Sequence, residues 1–314
     1  MTWVTWRQHR NQALYGAGAL VVLALVLVLT GLHMASVFRA SGLSTCQTNQ
    51  GDCAALANSF SGRFKALEAV GVLLMVLPLF AGVFWGAPVV ARELEQGTHR
   101  LAWTQSVTRT QWITTKLTAL LVTTALAMAL LTVLVGWWLG PLAKSDVGRM
   151  QPVAFDVQGI VPIAYTAFAI ALGIAAGAIA RKTLPAMGIT LAVFTAIRVA
   201  ILELVRPHYQ AALHADQPVK LAHLGSADHV GLQDWILSQA TVDRAGHAVP
   251  DLPKLCPNLP TVPQCVRAHG IHLLETWQPA SRFWLFQSME AAIFTALTVA
   301  LIALSIWWVR RRIA

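Results

Sequence analysis

Apolar residues run along this chain in long unbroken stretches, not in the alternation of a strand or the one-sided stripe of a surface helix. Residues 14–34, 70–91, 117–143, 159–180 and 291–309 contain no charged side chain. Residues 183–205 form a sixth stretch, interrupted by Arg198 and Glu203. A helix needs about 20 apolar residues to cross about 30 Å of hydrocarbon. In lipid every backbone polar group must be satisfied within the segment, which selects helices, and the dyad repeat of a membrane β-barrel is absent. The pattern predicts an all-α integral membrane protein with six transmembrane helices.

Composition agrees. The chain is 56% hydrophobic and only 12% charged, whereas soluble domains carry about 25% charged residues. The net charge of +9 would fit nucleic acid in a soluble protein, but here the basic residues flank the spans, and no nucleic-acid partner is expected. One set of flanks holds Arg7, Arg10, Arg92, Arg100, Arg109, Lys116, Arg181, Lys182 and Arg310 to Arg312. The other short flanks hold Arg39, Arg63, Lys65, Lys144 and Arg149. The richer set marks the cytoplasmic side, so both termini are expected in the cytoplasm. The first apolar run is too long for the core of a cleaved signal peptide. Trp3 and Trp6, set among Arg7, His9 and Arg10, predict an interfacial helix over residues 1–12.

Three segments outside the lipid organise the rest: an outer loop at 35–65, an inner loop at 92–116, and an outer segment at 206–282. The last is read as a small cap, rich in histidine and proline, between the fifth span and a final unit at 283–314. Cys46, Cys53, Cys256 and Cys265 all fall in the two outer segments. Disulfides persist outside the reducing cytosol. Four cysteines allow three pairings; Cys46–Cys53 with Cys256–Cys265 is preferred, each closing a short loop, and four free thiols are the alternative. No CxxC pair points to zinc, no metal is expected, and the histidines are read as surface residues.

No enzyme signature is present: the chain lacks a P-loop, HExxH and GxSxG. It is expected to be non-catalytic, so any ATP-driven work requires a second protein to bind ATP and Mg. The informative stretch is the inner loop, which begins Arg92-Glu93-Leu94-Glu95-Gln96-Gly97-Thr98. An amphipathic helix leaving a span and breaking at Gly97 is a docking element whose charges can meet a soluble partner; a solvated loop with a C-capping glycine is the alternative.

The residues Arg92, Glu93, Glu95, Gly97, Thr98, Leu101, Arg109, Trp112 and Lys116 form a pattern that resembles the permeases of the type-two ABC exporter family. The stretch from Gln278 to Gln287 with Glu290 looks like the actinobacterial branch, and the order of segments matches as well. The resemblance implies a bacterial plasma-membrane exporter of a hydrophobic or amphipathic compound, such as an antibiotic or other drug, a lipid or a peptide, and hence a place in multidrug resistance. Residues 92–98 would be the coupling helix seated on a separate ATPase subunit, and Arg109, at the far side of the loop, would take part in the same coupling. A second copy of the permease, or a related one, would complete the pore as a dimer. In the family the second and fifth spans line the dimer interface, which makes Met75, Phe80, Phe84 and Phe194 candidate cavity residues, with lipid contact or core packing as the alternative for each.

Arg198 stands out without any resemblance. A charge deep in a span costs about 2.5–3.5 kcal/mol or more on insertion scales, so it needs a partner. Glu203, Glu68 and Glu290 are the candidates. The pair is expected either to pin the fifth helix or to form an outer gate on the substrate pathway. Two other classes of function remain: a membrane sensor or immunity protein that binds an extracellular ligand through the cap, and an intramembrane enzyme. The latter lacks an in-membrane Asp/His/Glu cluster.

Overall fold

The computed structural model describes residues 2–43, 51–98, 108–145, 148–218, 234–249 and 268–312. Among these residues six helices are long and apolar enough to cross a membrane: Leu14–Ala40, Ala69–Glu95, Arg109–Trp138, Val161–Ala180, Thr183–His208 and Ala280–Arg312. They are called spans one to six below. Each overlaps an apolar stretch read from the sequence.

Three expectations are corrected. Residues 1–12 are not a separate interfacial helix, because one helix, α1, runs unbroken over Thr2–Ala40. The residues between Arg10 and Leu14 include neither glycine nor proline, so nothing stops the turn from propagating. The segment 35–65 is not a simple loop either: α1 continues to Ala40, and a second helix, α2, occupies Gly51–Phe64. Its Phe60 and Phe64, one turn apart, face span one, with Phe60 edge-on to Phe38 at 5.6 Å between centroids. The fold is also not all-α. The segment 206–282 contains an antiparallel sheet of β1 (Leu213–Pro218), β2 (Trp235–Val242) and β3 (His272–Gln278), ordered β1-β3-β2. Trp277 on the central strand lies opposite Leu213 on one side and Ile236 on the other, a cross-strand apolar grouping that favours pairing.

The sheet is fixed to the bundle where span five ends and span six begins. The Gln278 side chain donates to the carbonyls of Pro207 at 3.2 Å and Gln210 at 2.8 Å. Arg282 donates to the Ala211 carbonyl at 2.7 Å. This is the sheet end of the molecule. The opposite, basic end carries Arg92, Lys116, Arg181, Lys182 and the run Arg310 to Arg312.

Span four is the central post. Of its most apolar window 78% is buried, against 17–33% for the other five spans. Span two reaches it with almost no side chain between. Span two consists of α3 (Glu68–Ala81), a π-helical turn at Gly82–Gly86, and α4 (Ala87–Glu95). Gly82 and Gly86 face Gly173 of span four, and Gly177, one turn on, faces Ala87 and Ala91. A Cβ on Gly82 would lie 2.6 Å from the Ala169 carbonyl oxygen, and one on Gly177 would lie 2.7 Å from that of Ala87. Small residues four apart on both helices let the backbones touch, which is how helices associate tightly in lipid.

Candidate functional site

At the basic end, span two continues as α4 to Glu95 and turns at Gly97, whose φ of +72° suits glycine. Arg92 is exposed, and the Thr98 hydroxyl reaches back to the Glu93 carbonyl at 3.5 Å. Glu93 and Glu95 are two residues apart, so they project roughly 200° apart around the helix. Glu93 turns toward span three. Its carboxylate lies 2.6 Å from Lys116 Nζ and accepts from the Trp112 indole at 3.0 Å. Lys116 also donates to the Val89 carbonyl at 3.2 Å, and its ammonium sits 5.0 Å from the centre of the Trp112 ring. Glu95 turns the other way. One of its oxygens accepts from both the Thr183 amide at 3.0 Å and the Thr183 hydroxyl at 2.7 Å, at the start of span five. Arg109 opens span three, whose N-cap is the Thr108 hydroxyl accepting from the Gln111 amide at 3.2 Å. The remainder of the inner loop, 99–107, lies outside the described residues.

The candidate cavity residues do not converge on one place. Phe80 and Phe84, 41% and 50% exposed, line a groove of about 750 Å³ between spans one, two and three, together with Leu20, Leu77, Trp85 and Leu120. Four threonines on its wall, Thr115, Thr123, Thr124 and Thr166, spend their hydroxyls on carbonyls of their own helices. Met75 packs into the core between spans one and three. Phe194 is buried against span four, stacked on Phe168 at 5.9 Å between centroids.

The sheet end holds a buried charge cluster. Arg198 reaches Asp156 at 2.6 Å and Glu290 at 3.3 Å. Arg206 donates to Asp156 at 2.6 Å and to the two oxygens of Glu290 at 2.7 and 2.8 Å. The Tyr165 hydroxyl donates to Glu290 and lies 3.3 Å from Asp156. The Arg198 guanidinium rests 3.7 Å above the Tyr165 ring, and that of Arg206 rests 4.4 Å above Phe155. Two cations meet two anions, so the cluster is neutral, as burial in lipid demands. Of the three expected partners of Arg198, Glu290 is the one that meets it, and Glu203 is exposed. The Glu68 side chain lies outside the described residues.

Asp156, Arg206 and Tyr165 were missed from the sequence. The geometry that unites the two arginines is a π-helical turn at Ile201–Val205. Eight positions along a regular α-helix place side chains roughly 80° apart. A π-turn absorbs one extra residue, so eight positions act as seven and the offset falls to roughly 20°. Next to this cluster, Gln287 of span six caps span four: its side-chain oxygen accepts from the amides of Ile160 and Val161, both at 3.0 Å, and its amide donates to Phe155 at 2.9 Å.

Cys46, Cys256 and Cys265 lie outside the described residues, and of Cys53 only the helical backbone is described. No group of three or more His, Cys, Asp or Glu able to hold a metal occurs among the described residues.

A family model described as ABC-2 membrane transporter related matches residues 17–206, well over half of the chain. The match runs from the first turn of span one to Arg206 near the end of span five, so it includes Asp156, Tyr165 and both arginines of the cluster, while the sheet and span six lie beyond it. No curated protein and no solved structure matches the chain.

Proposed function

The chain belongs to the ABC-2 membrane transporter family, as a membrane-spanning permease component, and we propose that it exports a hydrophobic or amphipathic compound from the cell. The basic end faces the cytoplasm. A separate ATPase subunit binds ATP and Mg and docks on the end of α4 and the turn that follows it, at Arg92, Gln96, Gly97, Thr98 and the loop beyond. Two copies of the chain meet through the apolar faces of spans two and five, where Phe80, Phe84, Leu184, Leu191 and Val199 are exposed in the single chain. The apolar walls of the groove beside span two suit a cargo with little polar surface.

The observation that carries this reading is the anchorage of α4. A helix end that projects from a span, turns at Gly97 and is tied on opposite sides to spans three and five is built to pass on a push. The test is purification of the full chain in mild detergent. An ABC ATPase is expected to co-purify, and Glu93→Ala is expected to lower ATP-driven transport at least tenfold. Purified chain without any ATPase partner, together with intact function in Glu93→Ala, overturns the reading.

A further inference from the structure

We infer that Glu95 is a positioning residue whose task is to carry movement of the helix end after span two into span five, by capping span five from outside its own chain segment. This rests on the exporter reading but assigns Glu95 a different role from contact with the ATPase.

The argument begins with the start of span five. A helix leaves its first amide groups without partners. Here the residue before the first turn is Lys182, and it offers no side-chain cap. The cap comes from another span: Glu95 accepts from both the amide and the hydroxyl of Thr183. A carboxylate at that place also opposes the positive end of the helix dipole. Glu95 is the last residue of α4, one step before the C-cap and two before the turn at Gly97. A displacement of that turn therefore reaches Thr183 through the Glu95 side chain, beside the apolar packing of Ala87 and Ala91 on Ala186.

The contrast with Glu93 assigns the roles. Glu93 is held between Lys116 and Trp112, with side chains 15% and 5% exposed for Glu93 and Lys116. Breaking that pair strands a buried ammonium, so it stays made. The Glu95 contact is open to water, and both of its partners can be hydrated if they part. Among the polar contacts, one helix end thus has a fixed attachment to span three and a releasable one to span five. Span five, like span two, is interrupted by a π-turn, here at Ile201–Val205 beyond its midpoint. Movement applied at Thr183 reaches Arg198 along a regular helix and meets the π-turn only before Arg206.

The experiment measures distances between nitroxides carried on introduced keto-bearing residues, which leave the four native cysteines in place. In the full chain alone, labels at Gln96 and Lys182 are expected to give one narrow distance distribution. Glu95→Ala and Thr183→Val each broaden it at least twofold, and Thr183→Ser keeps it narrow. In the complex with its co-purified ATPase, trapping with ATP and vanadate is expected to shift both the Gln96–Arg311 and the Lys182–Arg311 distances. In Glu95→Ala the first shift persists and the second falls to less than half. An unchanged distribution in the chain alone, or a full Lys182–Arg311 shift in Glu95→Ala, overturns the inference. Absence of any Gln96–Arg311 shift in the unsubstituted complex instead overturns the exporter reading, and the chain-alone measurement still decides whether Glu95 ties the two spans.

Discussion

Two spans of this protein begin on a side chain borrowed from another span. Span four starts on Gln287, which is wholly buried and binds two amides and a carbonyl. Span five starts on Glu95, which is exposed and binds one residue. The first cap lies beside the neutral cluster of two arginines and two carboxylates; the second lies at the basic end among solvated charges. Buried polar contacts are costly to break because each lost partner leaves a group that water cannot reach. Exposed ones exchange with water at little cost. The same device therefore makes a fixed joint at the sheet end and a yielding joint at the basic end, and span four, gripped along its length, separates the two.

The sharpest way to break this contrast is Glu290→Gln. It leaves two arginines facing one carboxylate inside the bundle, and a loss of about 3–5 kcal/mol is expected, read as a fall in thermal unfolding temperature and yield in detergent. Removing one charge of each sign, Arg206→Met with Glu290→Leu, keeps the remainder neutral and is expected to recover part of that loss. Next in size is Gly173→Val, which forces spans two and four apart where their backbones touch. A cost of about 3 kcal/mol, the upper end of overpacking penalties, is expected in the same unfolding measurement. Gln287→Leu strips the cap of span four and is expected to cost about 2 kcal/mol; hydrogen exchange at Ile160 and Val161 should rise with it. The smallest effect belongs to Glu95→Ala, whose unfolding temperature is expected to match that of the unsubstituted chain while ATP-driven transport falls. A large loss of stability in Glu95→Ala, or none in Gln287→Leu, would erase the distinction between the two joints.

The spans were legible because an uncharged apolar run of about 20 residues matches the thickness of the hydrocarbon layer and exceeds what a soluble core helix needs. The need of Arg198 for a partner was legible for a related reason, since lipid offers a lone charge nothing to bind, and Glu290 stood among the three candidates. Arg206 was hidden because the apolar stretch ends at 205 and at α-helical spacing it lies roughly 80° around from Arg198; the π-turn at Ile201–Val205 swings it onto the same carboxylates. Asp156 was hidden by length, since it sits in a six-residue helix, Pro152–Val157, too short to show a period. The paired glycines at 82 and 86 and at 173 and 177 were in plain view in the sequence, but nothing there said that Gly82 and Gly86 meet Gly173 or that Gly177 meets Ala87 and Ala91. The sheet escaped because its strands are separated by long connections, the second of which, 243–271, carries Pro250, Pro253, Pro257, Pro260 and Pro263. The direction of Glu93 and Glu95 was beyond any reading of pattern, because a charge near a helix end fits a soluble partner and a neighbouring span equally well.

The cluster also imposes a timetable on synthesis. Asp156 is made first, Arg198 and Arg206 follow, and Glu290 emerges 92 residues after Arg198. At about 5–20 residues per second, the arginines wait roughly 5–20 s for their second carboxylate. Throughout that interval two positive charges share one negative charge, in a helix that must already lie in the bilayer. Span five therefore enters the membrane as an unfinished element, and span six, made later, is the one that seals it there.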